Sequence, residues 1–440
     1  MSVVYWTVFT LLFLCGVLSS SASAAGLPDK VVSMSEIGEH PNAAVQPTDA
    51  GKAISKLVLF DGKLYAGYGD YNANTGPIEI NPFDLNSRSF DGVQLSVPTE
   101  SVGNLKEING KLYATTIDPT CANSCSAGYA VYTPGVGWDM KTPIVAEHLY
   151  DIATLTGTDL WLFGATGGDT STAWRSTDDG DTWNVVRTQS YSPGADNSER
   201  FYWGAVLGGA MYMQSNYSMY DRPIDWFDGA NWQTQASSAQ ICGTGTVSKG
   251  PNPVVFDGKI VCADSGYINI FDGTNITHIN NNLLLTTPCD PVSLGDLVVR
   301  GGVLYVLCGD YDLLDGENNA LLLRTDDLIN WSRISGIPEA ARSLEVDTAT
   351  QTLYVGTANS RIFSGQLAAL NSGGSSGGSA SGGASGSSTG GSATQQELAM
   401  TGDWRGMLLA FTALCLVVVS VIIDSSSGYR HVQRVGRPRL

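Results

Sequence analysis

Asp70, Asp118, Asp169, Asn216, Asp264, Asp310 and Asn359 stand at matching places in this chain. Each follows by a few residues an apolar position that recurs along the sequence: Leu64, Leu112, Leu160, Met211, Ile260, Leu304 and Leu353. Carboxylates brought to one opening focus a negative potential and can hold Ca²⁺, a cationic group or a sugar. Two of them, for example Asp70 with Asp310, would serve a glycoside hydrolase or lyase as acid and base or nucleophile if set about 5 to 9.5 Å apart with one pKa raised. Tyr68, Tyr71 and Tyr311 are candidate platforms for stacking a sugar ring, whereas Trp203 reads as packing between repeats. The competing reading is that Asp and Asn are good turn residues that bond their own backbone.

The elements that must position these residues are legible as a repeat. The apolar positions are separated by 48, 48, 51, 49, 44 and 49 residues. Just before most of them lies a turn pair, such as Asp61-Gly62, Asn109-Gly110, Gly208-Gly209, Asp257-Gly258 or Gly301-Gly302, which suits a two-residue hairpin because both residues tolerate positive φ. Some 20 residues later an aromatic (Phe90, Trp138, Trp183, Trp232 or Trp331) opens a last strand. A period of 40 to 50 residues with about four strands predicts an all-β fold, a seven-bladed β-propeller over 52–366. The final copy supplies three strands, so a fourth is expected from Lys30 to Ile37, within an N-terminal segment 25–51 that closes the ring and removes its sheet edges. In a closed ring the seven Asp and Asn positions point toward one end of the central channel.

Composition agrees. The 440 residues carry 24 basic and 42 acidic side chains, a net charge of −18, which excludes a broad phosphate-binding surface and hence nucleic acid as a partner. With 51 Gly, 17 Pro and dispersed aromatics the chain suits a turn-rich β protein better than a helical one. Setting aside Cys15 and Cys415, six cysteines remain, and their spacing favours the disulfides Cys121 with Cys125, Cys242 with Cys262 and Cys289 with Cys308. A metal site built on these cysteines lacks nearby histidines, since the head's histidines are His40, His148 and His278.

The stretch Ser176, Thr177, Asp178, Asp179, Gly180, Asp181, Thr182, Trp183 resembles the Asp box of sialidases and related propellers, with a degenerate copy from Thr325 to Trp331. That resemblance implies a structural turn between outer strands, in which Ser176, Asp178, Gly180 and Trp183 serve the fold. It does not extend to the sialidase arginine cluster, because no arginine occurs between residues 25 and 87. Gly-Gly turns are similar to those of kelch and galactose-oxidase propellers, whose copper site needs His and Tyr ligands that this head hardly offers. These resemblances imply fold and not reaction.

The ends of the chain place it outside the cell. Residues 1–24 run from an apolar core to Ala22-Ser23-Ala24, the form of a secretory signal peptide. Residues 371–397 are largely Gly, Ser, Ala and Thr and predict a flexible stalk with a reach of about 25–30 Å. An apolar run at 407–423 predicts a transmembrane helix, and the basic tail 424–440 predicts that its far side is cytoplasmic. Leu398, Ala399, Met400, Thr401 and Gly402 resemble the sorting pentapeptide of sortase-anchored wall proteins, which implies cleavage after Thr401 and sortase and the cell wall as partners. A single-span anchor is the equal alternative. Asn216, Asn275 and Asn330 head glycosylation sequons, and Tyr429 with Val432 resembles an endocytic signal. The combined expectation is an exported, surface-anchored binding or adhesion module for carbohydrate or protein. The alternatives are the glycoside hydrolase or lyase above and a structural coat or spacer. No cofactor is expected beyond calcium at the acidic ring.

Overall fold

Short, largely apolar runs between Gly-containing turns make one strand after another, several of them buried on both faces. The computed structural model describes residues 29–367, except for 71–72, 121–125, 167–169, 191–199, 217–222, 238–239, 243–251, 265–266, 281–293, 309–319 and 339. The chain divides into two units, Met1–Asn371 and Ser372–Leu440, and every described residue belongs to the first. Among the described residues no helix is long and apolar enough to cross a membrane. The signal peptide, stalk, sorting pentapeptide and 407–423 all lie outside them.

The same antiparallel meander recurs along the chain. Thr99–Ile108, Lys111–Pro119, Tyr129–Thr133 and Gly137–Lys141 pair in that order. His148–Ala153, Leu160–Thr166, Thr170–Ser176 and Asn184–Ser190 repeat it. So do Val254–Phe256, Lys259–Asp264, Tyr267–Phe271 and Ile276–Asn280. The first hairpin turns are tight and left-handed: Asp61 and Gly62 have φ of 49° and 73°, and Gly301 and Gly302 have 58° and 74°.

The final meander, Ala341–Asp347, Thr352–Thr357 and Arg361–Gln366, takes its fourth strand from Met34–Glu39, which pairs antiparallel with Arg361–Gln366. The N-terminal stretch divides its pairing. Asp29–Val31 runs parallel to Trp331–Ser335 on the preceding sheet, and the chain then crosses to the final one. One segment thus covers the outer edges of two sheets.

Apolar side chains fill the spaces between sequence-adjacent sheets. Trp161 and Phe163 pack with Phe201, Met211 and Met213 of the following sheet. Leu57 and Leu64 pack with Leu105 and Leu112 on one side and with Tyr354 and Ile362 of the final sheet on the other. Packing therefore runs from each sheet to the next and from the last back to the first. Buried charges tie the first strands together. Asp151 accepts from Lys106 Nζ (2.6 Å), Asn104 Nδ2 (2.8 Å) and the Gly204 amide (3.0 Å). Asp296 accepts from Lys56 Nζ (2.8 Å) and the Leu344 amide (3.2 Å), and Glu345 receives both Arg300 Nε (2.7 Å) and Nη2 (2.6 Å). A carboxylate inside the protein is tolerable only with such donors.

His40 follows the closing strand. Its Nδ1 accepts from the Ala43 amide (3.1 Å), and its ring lies 4.7 Å from that of Tyr68 and 5.2 Å from that of Phe90. Burial lowers its pKa to about 4. The folded protein thus keeps the imidazole neutral, while the unfolded chain protonates it near 6.5. This contribution is complete above pH 6.5 and is lost as pH falls toward about 4, at a total cost of roughly 3 kcal/mol. Melting temperature measured from pH 7.5 to 4 is expected to fall less steeply in His40→Asn than in the native chain. Parallel curves for the two would exclude this assignment.

Candidate functional site

The sequence candidates separate once their surroundings are seen. Asp70 is buried, accepts from the Thr48 hydroxyl and from the Ala73 amide (3.0 Å), and so joins the N-cap of the short helix Asp49–Lys52 to the turn that follows Asp70. Tyr68 is buried as well, its hydroxyl donating to the Glu79 carbonyl (2.8 Å) and accepting from the Glu79 amide (3.1 Å). Asn359 is exposed and accepts from the Thr357 hydroxyl at 2.5 Å. Asn216 and Asp264 end the strands Ala210–Asn216 and Lys259–Asp264. Asp169, Asp310, Tyr71 and Tyr311 lie outside the described residues.

The turn from Ser176 to Trp183 is a closed set of local bonds. Ser176 Oγ donates to Asp178 Oδ1 (2.7 Å) and accepts from the Gly180 amide (2.9 Å). Asp178 accepts from the Thr182 hydroxyl (2.5 Å) and amide (2.9 Å), which hold its pKa at about 2. Trp183 Nε1 donates to the Gly180 carbonyl (3.0 Å). From Thr325 to Trp331 the same scheme returns: Asp327 accepts from the Ile329 (2.9 Å) and Asn330 (2.7 Å) amides, and Trp331 Nε1 donates to Leu328 (3.2 Å). These donors and acceptors are spent on one another. Cys242 and Cys262 form a disulfide with Cα atoms 5.4 Å apart. Cys308 is disulfide-bonded too, to a residue outside the described ones, where Cys121, Cys125 and Cys289 also lie.

Asp118 has different company. It sits near the end of Lys111–Pro119 in the left-handed region, with φ of 53°. The preceding Ile117 pairs with His148, the first residue of the next meander, and so joins two sheets. That bridge sets Asp118 Oδ1 2.6 Å from His148 Nε2. His148 is 3% exposed, and its ring lies parallel to that of Tyr150, 5.6 Å away. Its other nitrogen, Nδ1, is buried without a hydrogen-bond partner and has Glu147 Oε2 at 3.8 Å. Tyr150 OH accepts from Arg200 Nη1 at 2.5 Å, and the guanidinium lies over the Tyr150 ring. Tyr202 packs its ring 4.4 Å from that of Tyr150. Arg200 Nε is buried without a partner.

Glu100 completes the acidic side of this group. It lies on Thr99–Ile108, is buried, and its pKa is raised by burial first and then by the charges of Asp118 and Asp70. Its Oε2 has no hydrogen-bond partner. A buried carboxyl whose pKa is raised by burial and by neighbouring acids is a candidate for acid–base chemistry. One end of neighbouring sheets thus gathers Glu100, Asp118, Glu147, His148, Tyr150 and Arg200. Sequence spacing singled out only Asp118 of these. The available signal was the pair Glu147-His148 at the start of a repeat, in a chain with four histidines.

Among solved structures, the chain is similar to virginiamycin B lyase from Staphylococcus aureus, at 15% identity and a TM-score of 0.50 over 76% of this chain and 99% of that one. It is similar also to the Pan2 WD40 domain from Neurospora crassa, at 9% identity and a TM-score of 0.50 over 78% and 97%. The fold is a β-propeller. At these identities the likeness bears on fold alone. No family model and no curated protein matches the chain. The recurring meanders are the blades of the propeller, and the group around His148 lies where the inner strands of consecutive blades begin.

Proposed function

We propose that this chain is an exported, surface-anchored, seven-bladed propeller that binds a carbohydrate or protein ligand on the face carrying Asp118, His148, Tyr150 and Arg200. The seven recurring apolar positions support the blade count, and the apolar packing from the last sheet to the first supports a closed ring. The signal-like N-terminus, Gly/Ser stalk, apolar run and basic tail support display outside the cell, by a membrane span or by sortase linkage at Leu398, Thr401 and Gly402. The observation that carries the binding site is Arg200 bonded to the Tyr150 hydroxyl beside Tyr202, with its Nε unspent. A guanidinium with an unspent donor beside aromatic rings suits a sugar hydroxyl or an acidic side chain.

A glycan panel scored by thermal shift tests this reading on the full-length chain, because a ligand specific for the folded state raises the melting temperature. At least one glycan is expected to raise it, and Arg200→Ala is expected to weaken that ligand about tenfold or more. If neither a glycan nor a protein partner binds in an Arg200-dependent way, the propeller is a spacer or coat component.

A second reading, a surface glycoside hydrolase or lyase, is favoured by Glu100 alone. Its raised pKa makes it a candidate acid beside Asp118, in addition to the Asp70 and Asp310 pair. Product analysis with the bound glycan separates the readings: release abolished by Glu100→Gln marks an enzyme, and an unaltered glycan marks a binding module.

A further inference from the structure

We propose that His148 and Glu147, backed by Asp118, form a site for a divalent first-row transition metal ion of the Zn²⁺ type. Three observations converge. Ligand atoms of Asp118, Glu147 and His148 all lie within 4.8 Å of one another. His148 Nε2 sits 2.6 Å from Asp118 Oδ1, and a carboxylate there takes the ring N–H and fixes the proton on Nε2. The lone pair then resides on Nδ1, which is buried, has no hydrogen-bond partner and has Glu147 Oε2 3.8 Å away. An unpaired acceptor on a ring only 3% exposed is costly unless something occupies it.

The spacing suits an ion. Bonds of about 2.0 to 2.2 Å to nitrogen and carboxylate oxygen leave two ligand atoms roughly 3.3 to 3.6 Å apart at a tetrahedral centre, so Glu147 Oε2, now 3.8 Å from Nδ1, has only a small movement to make. Its side chain is 43% exposed and free to make that adjustment. An imidazole nitrogen selects against Ca²⁺ and Mg²⁺, which prefer all-oxygen shells, and this distinguishes the site from the calcium expected of the acidic ring. The imidazole–carboxylate–metal series places Asp118 behind the ligand as a positioning residue, where such partners change metal affinity about 10- to 100-fold. Stacking on Tyr150 fixes the plane of the ring. With two protein ligands, the remaining positions fall to water or to an oxygen of a bound molecule. The site goes beyond the proposed binding function, because it stands on His148 whether or not the face takes a glycan.

The test uses the full-length chain stripped with EDTA and titrated with ZnCl2 by calorimetry, with Co²⁺ absorption as a second readout of the ligand field. One equivalent of Zn²⁺ is expected to bind, with Co²⁺ giving visible absorption bands and Ca²⁺ not competing at a hundredfold excess. Glu147→Gln, at a half-exposed position, is expected to lower Zn²⁺ affinity at least tenfold and to diminish the Co²⁺ bands. Asp118→Asn should lower affinity about tenfold while retaining the bands. Absence of Zn²⁺ and Co²⁺ binding in the native chain, or binding unchanged in both variants, would overturn the assignment. Glycan binding that survives EDTA leaves the ligand reading in place whatever the metal result.

Discussion

Deleting residues 26–45 is expected to abolish the cooperative unfolding transition of the head. The segment contributes Asp29–Val31 to one sheet and Met34–Glu39 to another, and it places His40 against Tyr68 and Phe90. Without it the backbone groups of Arg361–Gln366 and Trp331–Ser335 become open edges. Val32, which packs with Leu344 and Leu353, goes too, and Tyr68 and Phe90 are uncovered. Several buried apolar side chains at about 1.5–3 kcal/mol each exceed the few kcal/mol by which a domain is stable. Near-ultraviolet circular dichroism and scanning calorimetry of the deleted chain should show no native signal and no transition. A sharp melt near the native temperature would mean that the ring holds without its N-terminal strands.

Asp159→Ala is expected to cost about 3 to 5 kcal/mol, the largest effect of any single substitution considered. Its carboxylate organises the hairpin that opens the third repeat. Oδ1 accepts from the amides of Leu155 and Thr156, both at 2.9 Å, and from the hydroxyls of Thr154 (3.2 Å) and Thr156 (2.9 Å). Oδ2 accepts from Trp161 Nε1 (2.7 Å) and Arg175 Nε (2.9 Å). The side chain is 3% exposed. Burial alone would raise its pKa, but the donors from Thr156, Trp161 and Leu155 outweigh that and lower it to about 2. Because the folded state holds the proton less readily than the unfolded chain, this stabilisation is present above about pH 4 and fades as pH falls toward 2. Chemical denaturation at pH 7 and at pH 3 should therefore show a wider gap between native and variant at pH 7. A difference below about 1 kcal/mol at pH 7 would refute the role.

The tight hairpins were legible because Asp-Gly and Gly-Gly pairs have few other uses between apolar strands, and Trp183 and Trp331 marked outer strands by sitting just past their turns. The site was less legible. Asp70 and Asp118 occupy the same slot in their repeats, six residues past Leu64 and Leu112, yet their surroundings differ. An N-terminal insertion brings Thr48 to Asp70 and spends its carboxylate, whereas the Ile117 bridge to the next blade brings His148 to Asp118. Periodicity within repeats does not encode contacts between them. Glu100 and Arg200 gave no signal either, since a charged residue near the start of an inner strand looks like any solvated position until the neighbouring blade covers it.

The pairing of Arg361–Gln366, the last described strand, has a mechanical meaning. Any tension carried by the chain beyond Leu367 enters through this strand, which lies between Thr352–Thr357 and Met34–Glu39 rather than at an edge. A pull along its axis must shear two antiparallel ladders at once instead of peeling one bond after another. The Leu367 amide adds a bond to the Gln351 carbonyl (2.8 Å) at the point of exit. The last strand of the propeller is therefore gripped from both sides, and a pull on it would be resisted by both ladders together.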